Sequence, residues 1–166
     1  MSFTPFDHQC MSKALRLARR GMATTHPNPR VGCVLAHDGH IVGEGWHEVT
    51  GGPHAEIGAL EQAGAASAGA TAYITLEPCG HHGLTPPCSA ALADAGVSRV
   101  VAAMNDPNPE VNGLGLAYLR EHGIKVESGL MAEQAEWLNR GFVKRMRSGR
   151  PWVRVKLAQS LDGRTA

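Results

Sequence analysis

Hydrophobic and polar positions recur along this chain with two periods, and the switches between them divide it into elements. Met11, Ala14, Leu15, Ala18 and Met22 fall at helical spacing behind Thr4, Pro5 and Asp7, which have the order of an N-cap, a first-turn proline and a capping-box acid. That predicts a first helix ending near Gly21. The stretches VGCVLAH and HIVGEGW flank Asp38-Gly39, which predicts two antiparallel strands joined by a tight turn. A helix from about His54 to Gly64, a strand over TAYITL and a helix through SAALADAG, closed by Gly96, are expected next. SRVVAAM and IKVES read as strands on either side of a helix from Leu114 to His122, and a helix from Met131 to Met146 follows. The order αββ, then repeated αβ units, predicts a three-layer α/β domain with a mixed sheet. Farther on, Val153, Val155 and Leu157 alternate with Arg154 and Lys156, the pattern of a half-buried strand.

A length of 166 residues suits one compact domain that can bury a core without covalent staples. The balance of 16 basic against 15 acidic residues gives no electrostatic footprint for nucleic acid or an anionic membrane. No apolar run approaches twenty residues, and MSFTPFDHQC lacks the basic-then-apolar order of a secretory signal, so a cytoplasmic protein is expected. Four cysteines then point to metal ligation or buried thiols rather than disulfides. Cys10, in an amphipathic helix, and Cys33, in an apolar strand, read as small core residues.

The remaining pair, Cys79 and Cys88, lies in EPCGHHGLTPPC, which follows one expected strand, while NDPNPE follows the next. In such sheets ligands bind beyond the carboxyl ends of strands, so the two loops should line one pocket. His54, Cys79 and Cys88 make a three-ligand set suited to zinc, leaving a fourth position for water as catalytic sites do. Pro86-Pro87 places Cys88 at a helix start, where dipole and metal both favour thiolate. Glu56, two residues after His54, falls about 200° around a regular helix and is a poor fellow ligand. It suits a proton carrier that takes a proton from an activated water, delivers it to a ring nitrogen and later protonates a leaving amine. Glu77 suits a structural role, orienting its loop through backbone hydrogen bonds. A structural zinc site or a pair of buried thiols is the plainer reading of the trio, and Glu56 weighs against it.

His-x-Glu followed by Pro-Cys-x-x-Cys marks zinc deaminases. Here His54-Ala55-Glu56 and Pro78-Cys79 fit it, with eight residues between the cysteines in place of two. Together with THPNPRVGCV, GEGWH, PHAE and NDPNP, the stretch TLEPCGHHGLTPPC closely resembles the deaminase half of the bifunctional riboflavin-biosynthesis deaminase/reductase family. The resemblance implies a cytidine-deaminase-like α/β/α fold with about five strands. It also implies zinc-dependent hydrolysis of the 2-amino group of 2,5-diamino-6-ribosylamino-4(3H)-pyrimidinone 5′-phosphate, with release of ammonia. Asn28, His47, Asp106 and Asn108 match motif positions that line the substrate pocket in that family. The family carries a basic residue where this chain has Leu84, so the phosphate contact is expected from another group: Arg30 first, then His82 or Thr85.

PWVRVKLAQSLDGRTA resembles the opening of that family's reductase domain, so residues 1–148 are expected to form the deaminase and residues 149–166 a linker and first strand of a second unit. NADP would serve only that second unit. The implied partner is a small phosphoribosylaminopyrimidine, with neither nucleic acid nor membrane, and a homo-oligomer is left open. Competing functions are deamination of guanine, cytosine or a transfer-RNA adenosine, and an inactive binding module that zinc merely stabilises.

Overall fold

A computed structural model describes residues 3–80, 87–109 and 111–165, and within them five strands form one mixed sheet. Helix α1 (Pro5–Ala18) opens the fold with the expected capping box: Thr4 Oγ1 accepts from the Asp7 N–H, and the Asp7 carboxylate accepts from the Thr4 N–H at 2.7 Å. Such a cap is worth about 1 kcal/mol. Strands β1 (Gly32–His37) and β2 (His40–Trp46) follow as an antiparallel hairpin. Asp38 and Gly39 take the positive φ angles, 49° and 77°, that its two-residue turn demands.

Then come α2 (Ala55–Ala63), β3 (Thr71–Ile74), α3 (Cys88–Asp94), β4 (Arg99–Ala102), α4 (Leu114–Glu121) and β5 (Lys125–Ser128). The strand order is β2-β1-β3-β4-β5, with β1 antiparallel to both neighbours and β3, β4 and β5 parallel. Side chains alternate between two cores. Val34, Ala36, Tyr73 and Val101 pack against α1 and the C-terminal helices, while Cys33, Leu35, Ala72, Ile74, Val100 and Ala102 pack against α2, α3 and α4. The three-layer α/β/α arrangement expected from the pattern is therefore present. Its helices lie close: a Cβ on Gly45 would sit 2.2 Å from the Ala55 carbonyl oxygen, which holds α2 directly on the hairpin.

A polar knot ties α1 to the sheet. Buried Asp7 accepts from the Tyr73 hydroxyl and from Arg99 Nη1, both at 2.7 Å, and Arg99 Nε reaches Glu127 at 2.6 Å. Burial alone would raise the Asp7 pKa, but the bonds from Arg99, Thr4 and Tyr73 outweigh it and hold the carboxyl well below the usual range.

Two expectations are corrected. The helix predicted from Met131 to Met146 is two helices, α5 (Ala132–Leu138) and α6 (Arg140–Ser148). Wholly buried Asn139 interrupts it with φ −105° and ψ 17°, because its amide accepts from the Arg30 N–H and donates to the Arg30 carbonyl, each at 2.8 Å. Those bonds to a segment 109 positions away fix the residue outside helical geometry. Val153, Val155 and Leu157, predicted to be half-buried in a strand, are 74, 74 and 73% exposed. No described strand pairs with them, and an extended segment needs an edge for its backbone and a surface for its apolar face. No helix among the described residues is long and apolar enough to cross a membrane.

Candidate active site

His54 is the N-cap of α2, with extended backbone and no capping bond from its ring, so the imidazole is directed elsewhere. It meets two sulfurs: Nδ1 lies 3.2 Å from Cys88 Sγ and 3.6 Å from Cys79 Sγ. Cys88 is the first residue of α3 and its backbone N–H donates to Cys79 Sγ at 3.2 Å. The three donor atoms lie within 4.8 Å of one another. A tetrahedral zinc with Zn–S of about 2.3 Å and Zn–N of about 2.0–2.1 Å needs N···S edges of about 3.5 Å. The two N···S distances, 3.2 and 3.6 Å, bracket that edge, so the trio suits such an ion.

The charges fit as well. Hydrogen bonding from Cys88, joined by that from His54, holds the Cys79 thiol down at about 4 against the cost of its burial. The same bond, with burial added, pushes Cys88 far up, so the pair shares one thiolate, and its bond to Cys79 raises the His54 pKa. Glu56, in the first turn of α2, is 3% exposed. Burial pushes its carboxyl up to about 7; the charge of Cys79 adds to this, while its own backbone N–H, His54 and Cys88 pull it down. A carboxyl balanced near neutrality can both accept and return a proton.

All of these groups but Cys88 face a cavity of about 240 Å³. His54, Glu56 and Cys79 form part of its wall with Asn28, His47 and Asp106, and Pro29, Val31, Leu76 and Phe142 supply apolar surface. His47 Nδ1 lies 2.9 Å from the Pro53 carbonyl, which makes that nitrogen the donor. Nε2 is then an acceptor for Asn28 Nδ2 at 3.4 Å. The loop bearing Asn28 is held by Thr50 Oγ1, which donates to the carbonyls of Thr25 and His26 at 2.7 and 2.9 Å.

Glu77 has the structural role its position suggested. Its buried carboxylate accepts the backbone N–H groups of Asp106, Gly113, Gly115 and Leu116 at 3.1, 2.9, 3.0 and 3.4 Å, which fastens the loop after β4 to the cysteine loop. Gly115 completes the join, since a Cβ there would fall 1.8 Å from the Pro78 carbonyl oxygen. Asp106 accepts from the Asn108 N–H at 2.8 Å, and Asn108 itself is not part of the cavity wall.

Arg30 is also off that wall: its Nη1 donates to the Leu138 carbonyl at 2.8 Å and it lines an adjoining cavity. His82 and Thr85, like Leu84, lie outside the described residues. Cys10 and Cys33 are fully buried in the two cores, as expected, and burial pushes the Cys10 thiol up to about 11. Phe142, which walls the cavity, was not anticipated; it sits on a helix whose start the sequence does not mark.

Residues 4–104 match the family model for the cytidine and deoxycytidylate deaminase zinc-binding region. The chain is 61% identical over 160 residues to the riboflavin biosynthesis protein RibD of Escherichia coli (strain K12), covering 96% of this chain and 44% of that protein. It is 51% identical over 145 residues to the diaminohydroxyphosphoribosylamino-pyrimidine deaminase of Buchnera aphidicola subsp. Schizaphis graminum, covering 87% of this chain and 99% of that one. Among solved structures, Acinetobacter baumannii RibD superimposes with a TM-score of 0.94 at 53% identity, over 97% of this chain and 45% of that one. The chain thus spans a little under half the length of the longer relative and nearly the whole of the shorter deaminase.

Proposed function

Because the chain belongs to the cytidine and deoxycytidylate deaminase zinc-binding family, we propose that it deaminates 2,5-diamino-6-ribosylamino-4(3H)-pyrimidinone 5′-phosphate. The observation that carries this is the placement of buried Glu56 with His54 and Cys79, two members of the donor trio, in the wall of one cavity. His54 Nδ1 and the two sulfurs would hold zinc. When bound, zinc supplies a Lewis acid that lowers the pKa of water to about 7 and so provides a nucleophile at neutral pH.

Glu56 moves the protons. It takes one as the water oxygen bonds to C2 of the ring and gives it to a ring nitrogen. It then carries the second water proton to the exocyclic nitrogen, the C2–N bond breaks, and ammonia departs from what is now a carbonyl carbon. The burial that pushes Glu56 up to about 7 suits both halves of that task. Asn28 and Asp106 bond the ring edge and ribose hydroxyls, with His47 fixing the Asn28 amide and Asn108 bonding through the Asp106 turn, a reading supported by the position of Asn28, His47 and Asp106 in the cavity wall. Arg30 contacts the phosphate.

Residues 1–148 form the deaminase and residues 149–166 begin a second unit, a division that the exposure of Val153, Val155 and Leu157 supports. The partner is a small molecule in the cytoplasm. Incubation of the zinc-loaded chain with the pyrimidine should release one ammonia per ring, and no NADPH should be consumed when the deaminated product is added. Zinc-replete protein that releases no ammonia, or that turns over guanine or cytidine faster, would overturn the assignment.

A further inference from the structure

A second cavity, of about 300 Å³, abuts the first, and Asn28 and Phe142 belong to the walls of both. Arg30, Arg140 and Arg145 line it, and no carboxylate does among the described residues. Each guanidinium is held by one backbone carbonyl: Arg30 by Leu138 at 2.8 Å, Arg140 by Trp137 at 2.9 Å and Arg145 by Pro27 at 3.0 Å. Aromatic rings fix two of them further, with Arg140 4.4 Å from the centre of Trp137 and Arg145 5.8 Å from that of Phe142. The Nε of all three is buried and has no hydrogen-bond partner among the described residues.

That pattern is unlike the ion pairs elsewhere in the fold, where Arg99 meets Asp7 and Glu127 and Arg147 meets Glu136. Three guanidinium groups gathered without an acid repel one another, and a buried cationic N–H left unbonded is costly. An anion with several oxygens offsets the repulsion, because each planar fork can pair with two of them. A lone carboxylate offers only two oxygens, whereas a phosphomonoester offers three and carries close to two charges at neutral pH.

We propose that Arg140 and Arg145 of α6, with Arg30, bind the phosphate of the sugar phosphate whose ring lies in the metal-bearing cavity. The proposal rests on the deaminase reading for the identity of that phosphate. It assigns to α6 a function in recognition, with Asn28 and Phe142 marking where the ring's cavity gives way to the phosphate's.

Two measurements test it. Calorimetric titration of inorganic phosphate into the chain should show saturable binding to one site, and the double variant Arg140→Gln/Arg145→Gln should lose it while keeping the parent's melting temperature. Steady-state deamination of the pyrimidine nucleotide and of its dephosphorylated nucleoside should show the parent's kcat/KM preference for the nucleotide falling tenfold or more in that variant, through KM. Arg145→Lys, which keeps the charge but not the fork, should fall between. A folded double variant that keeps the full preference overturns the proposal. So does loss of phosphate binding with the preference intact, which would make the cavity a site for free phosphate. If the parent deaminates neither compound, the deaminase reading fails, and the titration still decides whether the arginines bind phosphate.

Discussion

Replacing Glu77 with glutamine tests how the pocket is held in shape. Oε2 accepts the N–H groups of Asp106 and Gly113, and Oε1 accepts those of Gly115 and Leu116. An amide presents one acceptor and one donor, so either orientation of Glu77→Gln turns an NH₂ group against two backbone N–H groups. Bonds to a charged acceptor are worth about 1.5–3 kcal/mol each, and two are lost, which gives about 3–6 kcal/mol. That is a large share of the roughly 5–15 kcal/mol that keeps a domain folded. With a urea m-value of about 2 kcal/mol/M, the unfolding midpoint should drop by roughly 1.5 M or more. A midpoint within about 0.3 M of the parent would refute the reasoning, since it would mean that the four N–H groups find other partners at little cost.

Cys79→Ser and Cys88→Ser should each lose zinc and turnover together, as atomic absorption and an ammonia assay would report; full zinc in either would remove that sulfur from the ligand set. Glu56→Gln should keep zinc at the parent's level yet turn over about 10²–10⁴-fold more slowly, and a rate within tenfold of the parent's would contradict a proton carrier at that position. The Asp7 carboxyl is depressed in the fold, so its stabilisation is complete above the unfolded value of about 3.9 and is lost as pH falls through the lower folded value. The difference in unfolding free energy between parent and Asp7→Asn should therefore be constant from pH 7 to about 5 and shrink below about 4. A difference that is unchanged at pH 2.5 in urea titrations would show that the ion pair with Arg99 does not act through charge.

What the sequence made legible was whatever depends on neighbours in the chain. The capping box at Thr4, the turn at Asp38-Gly39 and the two periods of the elements are local, and they reproduce the five strands and three layers. The donor trio was legible for a different reason: few roles demand a histidine and two cysteines with a glutamate close by, so residue type carried what distance could not. What stayed hidden depends on partners far away. Asn139 breaks the last helix through bonds to Arg30, 109 positions earlier, and an asparagine amid helix-forming residues gives no sign of it.

The same bonds bear on how the site is built. Asn139 fixes the backbone of Arg30, and so of the loop that carries Asn28 into the cavity, while it sets the break after which α6 runs past both cavities with Arg140, Phe142 and Arg145. One buried amide thereby couples the N-terminal loop, the cavity lined by His54 and Glu56, and the arginines beside it. A continuous helix through position 139 would turn every later side chain about 100° per residue from a different origin and would aim Arg140 and Arg145 elsewhere. The interruption that defeats the periodic pattern is thus the feature that brings these arginines to the edge of the cavity lined by His54 and Glu56.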